Sequence, residues 1–358
     1  MNLYAHFPFC RAKCAYCALL SRAGASAAAR AAYVERVRGE IDALAPHEGE
    51  PLTVYFGGGT PALCDLAPLA SALAPLVSAS GELEFTVELH PLDATDRTLD
   101  ALRRLGVNRI SMGVQSLDDS TLAAMGRRHT AAEAEDAFRR ARRAFPNAGI
   151  DLIAGWPRVS AAAWRATLER ALALEPVHVS CYTLIREPHT RLDLMARRGE
   201  VEIPDDDAAL EQADAARAAF ASAGIVRYEV SNFSRPGFEC RHNLAVWRGE
   251  DYVGIGEGAH GREGLSRTVG LASGYERRAV AAEEDAVERA LLSLRTASGL
   301  DLDFAANRWP ILAPRIPSWL KALSSLEREG ILRETSPRVF APTSRGFEVC
   351  DAVMAALL

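Results

Sequence analysis

Short apolar runs alternate with longer, alanine-rich amphipathic stretches from the start of the chain to about residue 225. The runs predict strands at Leu3–His6, Thr53–Phe56, Glu84–Glu88, Arg109–Gly113, Ile150–Ile153 and His178–Tyr182. The stretches between them predict helices over about Ala27–Leu44, Ala67–Ser78, Thr95–Leu105, Ala131–Phe145, Ala161–Ala173 and Asp205–Ala223. Repeated strand–helix units of this kind build a parallel sheet with right-handed crossovers. Six units fall short of a closed eight-stranded barrel, so the expected fold class is α/β, an open partial (β/α)6 barrel over residues 1–225.

The pattern changes after residue 225. Tyr228–Phe233 and Asp251–Ile255 read as further strands, separated by the turn-rich Ser234-Arg-Pro-Gly-Phe238, in a β extension over 226–284. Helical patterns at Val287–Arg295, Asp303–Asn307 and Pro317–Glu329 then precede a ribbon at Leu332–Phe340 and a last helix at Arg345–Leu357. That order is winged-helix-like, an α+β domain over 285–358. It carries little excess of basic residues, which favours packing against the barrel or a partner over DNA binding. There is no internal repeat and no low-complexity linker.

Composition narrows the class further. With 49% hydrophobic and 25% charged residues in 358, the chain has the make-up of a globular protein with a large core. A net charge of −6 gives no global basic field, so nucleic acid is not an expected partner. The run Arg139, Arg140, Arg142, Arg143 reads as a solvated helix face. No apolar stretch is long enough to span a membrane, and the first residues lack the basic and apolar regions of a signal peptide. Seven cysteines, an odd number in so core-rich a chain, suit a reducing cytoplasm rather than a disulfide framework.

Three of those cysteines, Cys10, Cys14 and Cys17, are spaced C-x3-C-x2-C just after the first strand. So short a loop can wrap three thiolates around one metal object. A structural zinc site wants four protein ligands, and only His6 is near enough to be the fourth. An iron–sulfur cubane held by three thiolates would instead keep one iron open for a ligand. After the second strand, Gly57-Gly58-Gly59-Thr60-Pro61 lets the backbone approach a ligand closely, and no Gly-Lys-Ser/Thr follows to make it a phosphate loop. Gly256-Glu-Gly258-Ala-His-Gly261 formally fits G-x-G-x-x-G, but no strand–helix–strand unit surrounds it. Gln115 and Asp151 also fall just after strands, at the edge where βα barrels place their chemistry.

The cysteine spacing, Tyr16 before the last cysteine and Gly57–Pro61 together resemble the radical S-adenosylmethionine (SAM) superfamily. Further segments resemble its oxygen-independent coproporphyrinogen oxidase and HemW branch. They are Tyr4–Cys10, Val87–Pro91, Arg109–Ser116, Met125–His129, Gly149–Pro157, Arg241–Trp247 and Gly254–Gly261. The resemblance implies a [4Fe-4S] cluster on Cys10, Cys14 and Cys17, with S-adenosyl-L-methionine on the open iron as the source of a 5′-deoxyadenosyl radical. By motif, Tyr4 and Tyr16 would contact that cofactor, Tyr16 against its adenine, and Gly58, Gly59 and Thr60 would meet its methionine end. Glu88 and Arg127 would pair with its ammonium and carboxylate, and Gln115 and Asp151 with the ribose and nearby polar atoms.

Within the branch, one reading is oxidative decarboxylation of coproporphyrinogen III, or radical chemistry on another tetrapyrrole. The other is a HemW-like haem chaperone. The enzymes continue the motif to C-x3-C-x2-C-x-C, whereas Leu19 stands at that position here. They also carry a longer segment ahead of the cysteines than the nine residues before Cys10. Both departures favour haem carriage. The HemW group's His-Asn-x-x-Tyr-Trp motif is matched by His242, Asn243 and Trp247, with Val246 in place of tyrosine, and Glu257 stands where proline is usual. His242 could instead be a structural histidine capping a loop. His260 is a further candidate facing the pocket. The implied partners are haem or another tetrapyrrole, a haem-acceptor protein and a reductant such as a flavodoxin or ferredoxin, with room for peripheral membrane contact.

Overall fold

The structure, a computed structural model, describes residues 1–358. The six expected strands are present: β1 (Asn2–Phe7), β2 (Leu52–Gly58), β3 (Leu83–Leu89), β4 (Arg109–Gln115), β5 (Asn147–Ala154) and β6 (His178–Thr183). They lie side by side in that order, all parallel. The sheet does not close, so the barrel is open as expected. The crossover helices are α1 (Ala27–Asp42), α2 (Leu69–Ala79), α3 (Asp96–Arg104), α4 (Ala131–Ala144), α5 (Ala161–Leu172) and α6 (Asp206–Ser222). Their starts are set locally. Ser26, Thr95, Thr130, Ser160 and Asp205 each cap a helix by accepting a backbone N–H, and Thr130 forms a capping box with Glu133.

The two faces of the sheet differ. Alternate residues such as Leu3, Phe7, Phe56, Val87, Met112, Ile150 and Val179 point outward into a 49-residue core shared with the helices. The other set points into the barrel and is polar. In register across the strands run Asn2, Thr53 and Glu84, then Tyr4, Tyr55, Thr86 and Arg109. Nearer the mouth come His6, Gly57, Glu88 and Ser111.

Residues after 225 complete both edges of this sheet. The expected strand at Tyr228–Phe233 gives way to two short ones split by residues 228–231: β7 (Val226–Arg227) and β8 (Asn232–Ser234), β8 antiparallel to β6 and β7 antiparallel to β8. The split has a cause: Tyr228 turns in to bond His178 and the Cys240 N–H, and Glu229 accepts the Trp247 indole N–H. Beyond β1 lies β9 (Val253–Ile255), shorter than expected and parallel to β1. Between them a short helix, α7 (Arg241–Trp247), carries the His-Asn pair. A three-stranded meander over 260–279 went unforeseen, because its strands are rich in arginine and lack an apolar run.

The C-terminal elements gather around their own 17-residue core, including Leu302, Leu312, Trp319, Leu323 and Phe340. The expected last helix is broken at Val349 into Ser344–Glu348 and Cys350–Ala355. No helix is long and apolar enough to cross a membrane.

Candidate functional site

The cysteine loop is pinned at its middle. Ala15, buried between Cys14 and Cys17, donates its N–H to Met125 O at 2.9 Å and accepts from the Leu192 N–H at 2.8 Å. Its side chain joins Met125, Ile153, Trp156 and Leu192 in a small satellite core, and Trp156 meets the Tyr16 ring edge-on at 6.1 Å. At its ends, Phe9–Cys10 pairs with Arg22–Ala23, and Arg22 is tied to Glu257 at 2.5 Å. Glu257, the departure from the family pattern, thus fastens the cysteine loop to the segment after β9.

The glycine turn is stitched under this loop. Gly59 N–H bonds Phe7 O at 2.9 Å and Thr60 N–H bonds Phe9 O at 2.7 Å. Gly58 has φ +104°, and any Cβ there would collide with the His6 ring. That ring is committed at both nitrogens: Nε2 lies 2.9 Å from Leu20 O, which can only accept, so Nδ1 accepts from the Tyr4 hydroxyl at 3.1 Å. His6 therefore has no lone pair for a metal, and the zinc reading loses its fourth ligand.

Cys10, Cys14, Cys17, Tyr16, Gly58, Gly59, Thr60, Glu88, Gln115, Arg127 and Asp151 all line one cavity of about 250 Å³ at the barrel mouth. The three thiols are free and all line it, a donor set that would hold a cluster with one iron left open for a ligand. Burial raises the thiol pKa values of Cys10 and Cys17. Arg127 donates to Gly113 O and lies 3.5 Å from the Cys14 sulfur.

Several groups here are left unpaired. Gln115 sits in the left-handed region at φ 73° on a bulge in β4, with Oε1 buried and partnerless. Strained backbone and an orphaned acceptor together mark a ligand site. Arg127 Nε is likewise buried without a partner. Glu88 accepts from the Tyr55 hydroxyl at 2.9 Å and the Gly58 N–H at 3.0 Å. Burial, with Asp151 adding repulsion, still pushes its carboxyl up to about 7. Asp151, held by Ser111 at 2.9 Å, is also raised by burial. A cation, an anion and a set of hydroxyls would each find a counterpart in this cavity. The residues fit a zwitterionic nucleoside beside a cluster.

Tyr4 is the exception among the residues expected at the cofactor. It lies one turn of the pleat deeper than His6 and lines a second cavity of about 630 Å³ instead. Leu19 and Tyr182 line both cavities and form their common wall. His242, Asn243, Trp247 and His260 all line the second, as does Val246. The His242 ring lies 5.3 Å from Tyr55 and stacks at 6.4 Å on Tyr4. Burial and the nearby Arg109 guanidinium push its pKa down to about 3, so the imidazole is neutral. Trp247 donates to Glu229 at 2.8 Å while Arg295 covers its ring at 5.1 Å. His260 is exposed at the rim. The glycines before it serve packing, not a dinucleotide: a Cβ on Gly256 would strike the Tyr33 hydroxyl, which bonds His6 O at 2.7 Å.

Sequence reasoning missed Tyr182, Tyr55, Glu229 and Glu84. Glu84 is buried and accepts the N–H groups of Arg241 at 2.9 Å and His242 at 3.0 Å, so it holds the start of α7. No motif marks Tyr55 or Glu84; alternation assigns them inward only once Glu88 in the same set has been placed at the cavity.

A family model for the radical SAM superfamily matches residues 4–171. The haem chaperone HemW of Bacillus subtilis is 31% identical over 379 residues, covering 100% of this chain and 99% of that one. HemW of Synechocystis is 37% identical over 266 residues, which cover 72% of this chain and 64% of the relative, a little under two thirds of its length. Among solved structures, coproporphyrinogen III oxidase (HemN) of Escherichia coli superposes with a TM-score of 0.81, covering 99% of this chain and 89% of that one. At 21% identity that likeness shows a shared fold.

Proposed function

Because this chain belongs to the HemW family of the radical SAM superfamily, we propose that it holds a [4Fe-4S] cluster and SAM in the first cavity and haem in the second, and passes the haem to an acceptor protein. When bound, the cluster supplies one-electron chemistry at an iron left open by three thiolates. Cys10, Cys14 and Cys17 hold it. Glu88 takes the cofactor's ammonium, Arg127 its carboxylate, Gln115 and Asp151 its hydroxyls, and Tyr16 its adenine. The Ala15 pin and the Trp156 prop keep these groups in place. A flavodoxin or ferredoxin is the class of donor that would reduce such a cluster.

One observation carries the haem reading. The second cavity, of a size ordinary for a small-molecule site, sets a neutral, buried histidine among the rings of Tyr4, Tyr55 and Trp247. Neutral imidazole is a common haem ligand, and aromatic walls suit a porphyrin face. Leu19, where the enzymes of the branch carry a cysteine, sets an apolar side chain between the cavities beside Tyr182.

The test is anaerobic. Reconstituted protein with reductant, SAM and coproporphyrinogen III is expected to give no decarboxylated product, and to bind haemin when titrated. Protoporphyrinogen appearing with stoichiometric 5′-deoxyadenosine overturns the carrier reading in favour of an oxidase.

A further inference from the structure

Directions of hydrogen bonds fix more about His242 than its position. Asn2 Nδ2 lies 3.2 Å from Glu250 Oε2 and 3.0 Å from Asp251 O. Both of those atoms only accept, so the side-chain nitrogen of Asn2, not its oxygen, must face them. Asn2 Oδ1 is then the atom 2.9 Å from the Thr53 hydroxyl, and Thr53 must donate its only proton to it. The Thr53 oxygen also lies 2.9 Å from His242 Nδ1. With its proton already given away, that oxygen can only accept. His242 must therefore carry its hydrogen on Nδ1. Nε2 has no hydrogen-bond partner in the protein and is not among the sealed, unpartnered buried atoms, so its lone pair opens on the second cavity. The reverse assignment would set Asn2 Oδ1 against a carboxylate and a carbonyl.

The three residues concerned form one register row. Asn2 pairs with Thr53 across β1 and β2, and Thr53 with Glu84 across β2 and β3. All three side chains are buried. Two of them orient the ring, and Glu84 holds the backbone of the same histidine by its N–H. We propose that Asn2, Thr53 and Glu84 are positioning residues that hold His242 as the Nδ1–H tautomer, presenting Nε2 as the haem-iron ligand. The proposal rests on the haem reading above for the identity of the ligand, but the tautomer belongs to the protein alone. Outer partners of this kind set ring orientation and basicity for metal-bound histidines, and their loss typically costs about 10–100-fold in metal affinity.

Two measurements test it. In haem-free protein with 15N-labelled histidine, His242, assigned by loss of its signals in His242→Ala, is expected to show a protonated Nδ1 and a bare Nε2. Thr53→Val removes the acceptor at nearly constant shape and should mix the tautomers, and Thr53→Ser should restore them. In a haemin titration, Thr53→Val is expected to bind at least about tenfold more weakly with an altered Soret band, while Thr53→Ser and the parent agree. A bare Nδ1 in the parent overturns the proposal. So does a Thr53→Val protein with unchanged tautomer and unchanged haemin affinity. If His242→Ala binds haemin as tightly as the parent, the haem reading of this cavity fails. The nitrogen signals still decide the tautomer in that case, so the two failures are told apart.

Discussion

The two cavities share Leu19 and Tyr182 as a wall, yet they are finished differently. The first ends in groups that the protein leaves open: three free thiols, the Gln115 acceptor, Arg127 Nε and a carboxyl at the edge of ionisation. In the second, Tyr4, His242 Nδ1 and Trp247 are already bonded to protein partners. A site with many open groups grips a polar cofactor through many directed contacts. The second offers chiefly shape and aromatic surface around the open His242 Nε2, with Glu229 Oε1 and Asn232 Oδ1 the unpartnered buried acceptors on its wall. That difference suits a resident cofactor on one side and a cargo that must leave on the other.

The sharpest cut between them is Cys14→Ala. It is expected to abolish the iron and sulfide content of reconstituted protein while haemin binding persists, read by cluster absorption and titration in the same sample. Loss of both would mean that the wall does not insulate the cavities. The mirror variant, His242→Ala, should lower haemin affinity by about tenfold to a hundredfold and leave the cluster spectrum unchanged. Glu88→Gln comes next. Removing the charge that faces the cofactor ammonium should weaken SAM binding by about tenfold, measured calorimetrically under anaerobic conditions.

The pH dependence has a definite sign. With the Glu88 carboxyl at about 7 in the ligand-free cavity, its proton must leave before the ammonium can pair. SAM affinity should therefore fall as pH drops through about 7, approaching tenfold per pH unit, and the slope should flatten in Glu88→Gln. A flat profile in the parent would remove Glu88 from the contact. The smallest effect is expected for Val246→Tyr, which restores a hydroxyl to the second cavity and should tighten haemin binding by only a few-fold, on the scale of one hydrogen bond. No change at all would show that the family's tyrosine has no counterpart role in this chain.

The outward half of the sheet was legible in the sequence because Leu3, Val54, Phe85, Ile110, Ile150 and Val179 form apolar runs that no loop would carry. The inward half was not. Thr53, Glu84 and Arg109 alternate with those residues as solvent-facing polar side chains would, and nothing local says that they face an interior. The cofactor cavity was readable because its groups fall in motifs at strand ends. The ligand cavity was only half readable: His242 and Trp247 lie in a motif, but α7 has seven residues, too few for a periodic signal. Its start is held by Glu84 from a distant strand instead of by a capping residue of its own, since Cys240 makes no side-chain cap. Tyr4 belongs to the same inward set. The family motif assigns it to the cofactor, and the pleat sets its hydroxyl against the His6 ring on the wall of the second cavity.

Pairing of β1 with β9 joins Leu3 to Val253, the first strand of the sheet to the last one made for it. At ribosomal rates of about 5–20 residues per second, a separation of 253 − 3 = 250 positions takes roughly 12–50 s to cover. Until then β1, which leads straight into the cysteine loop, is an exposed sheet edge, and neither Glu257 nor α7 is there to brace it. A nascent chain halted before residue 253 should accordingly hold its three cysteines in a half-built wall, open to oxidation and to the wrong metal. Stable loading of the cysteine loop should then wait for β9, the strand that joins the sheet last and beside its first.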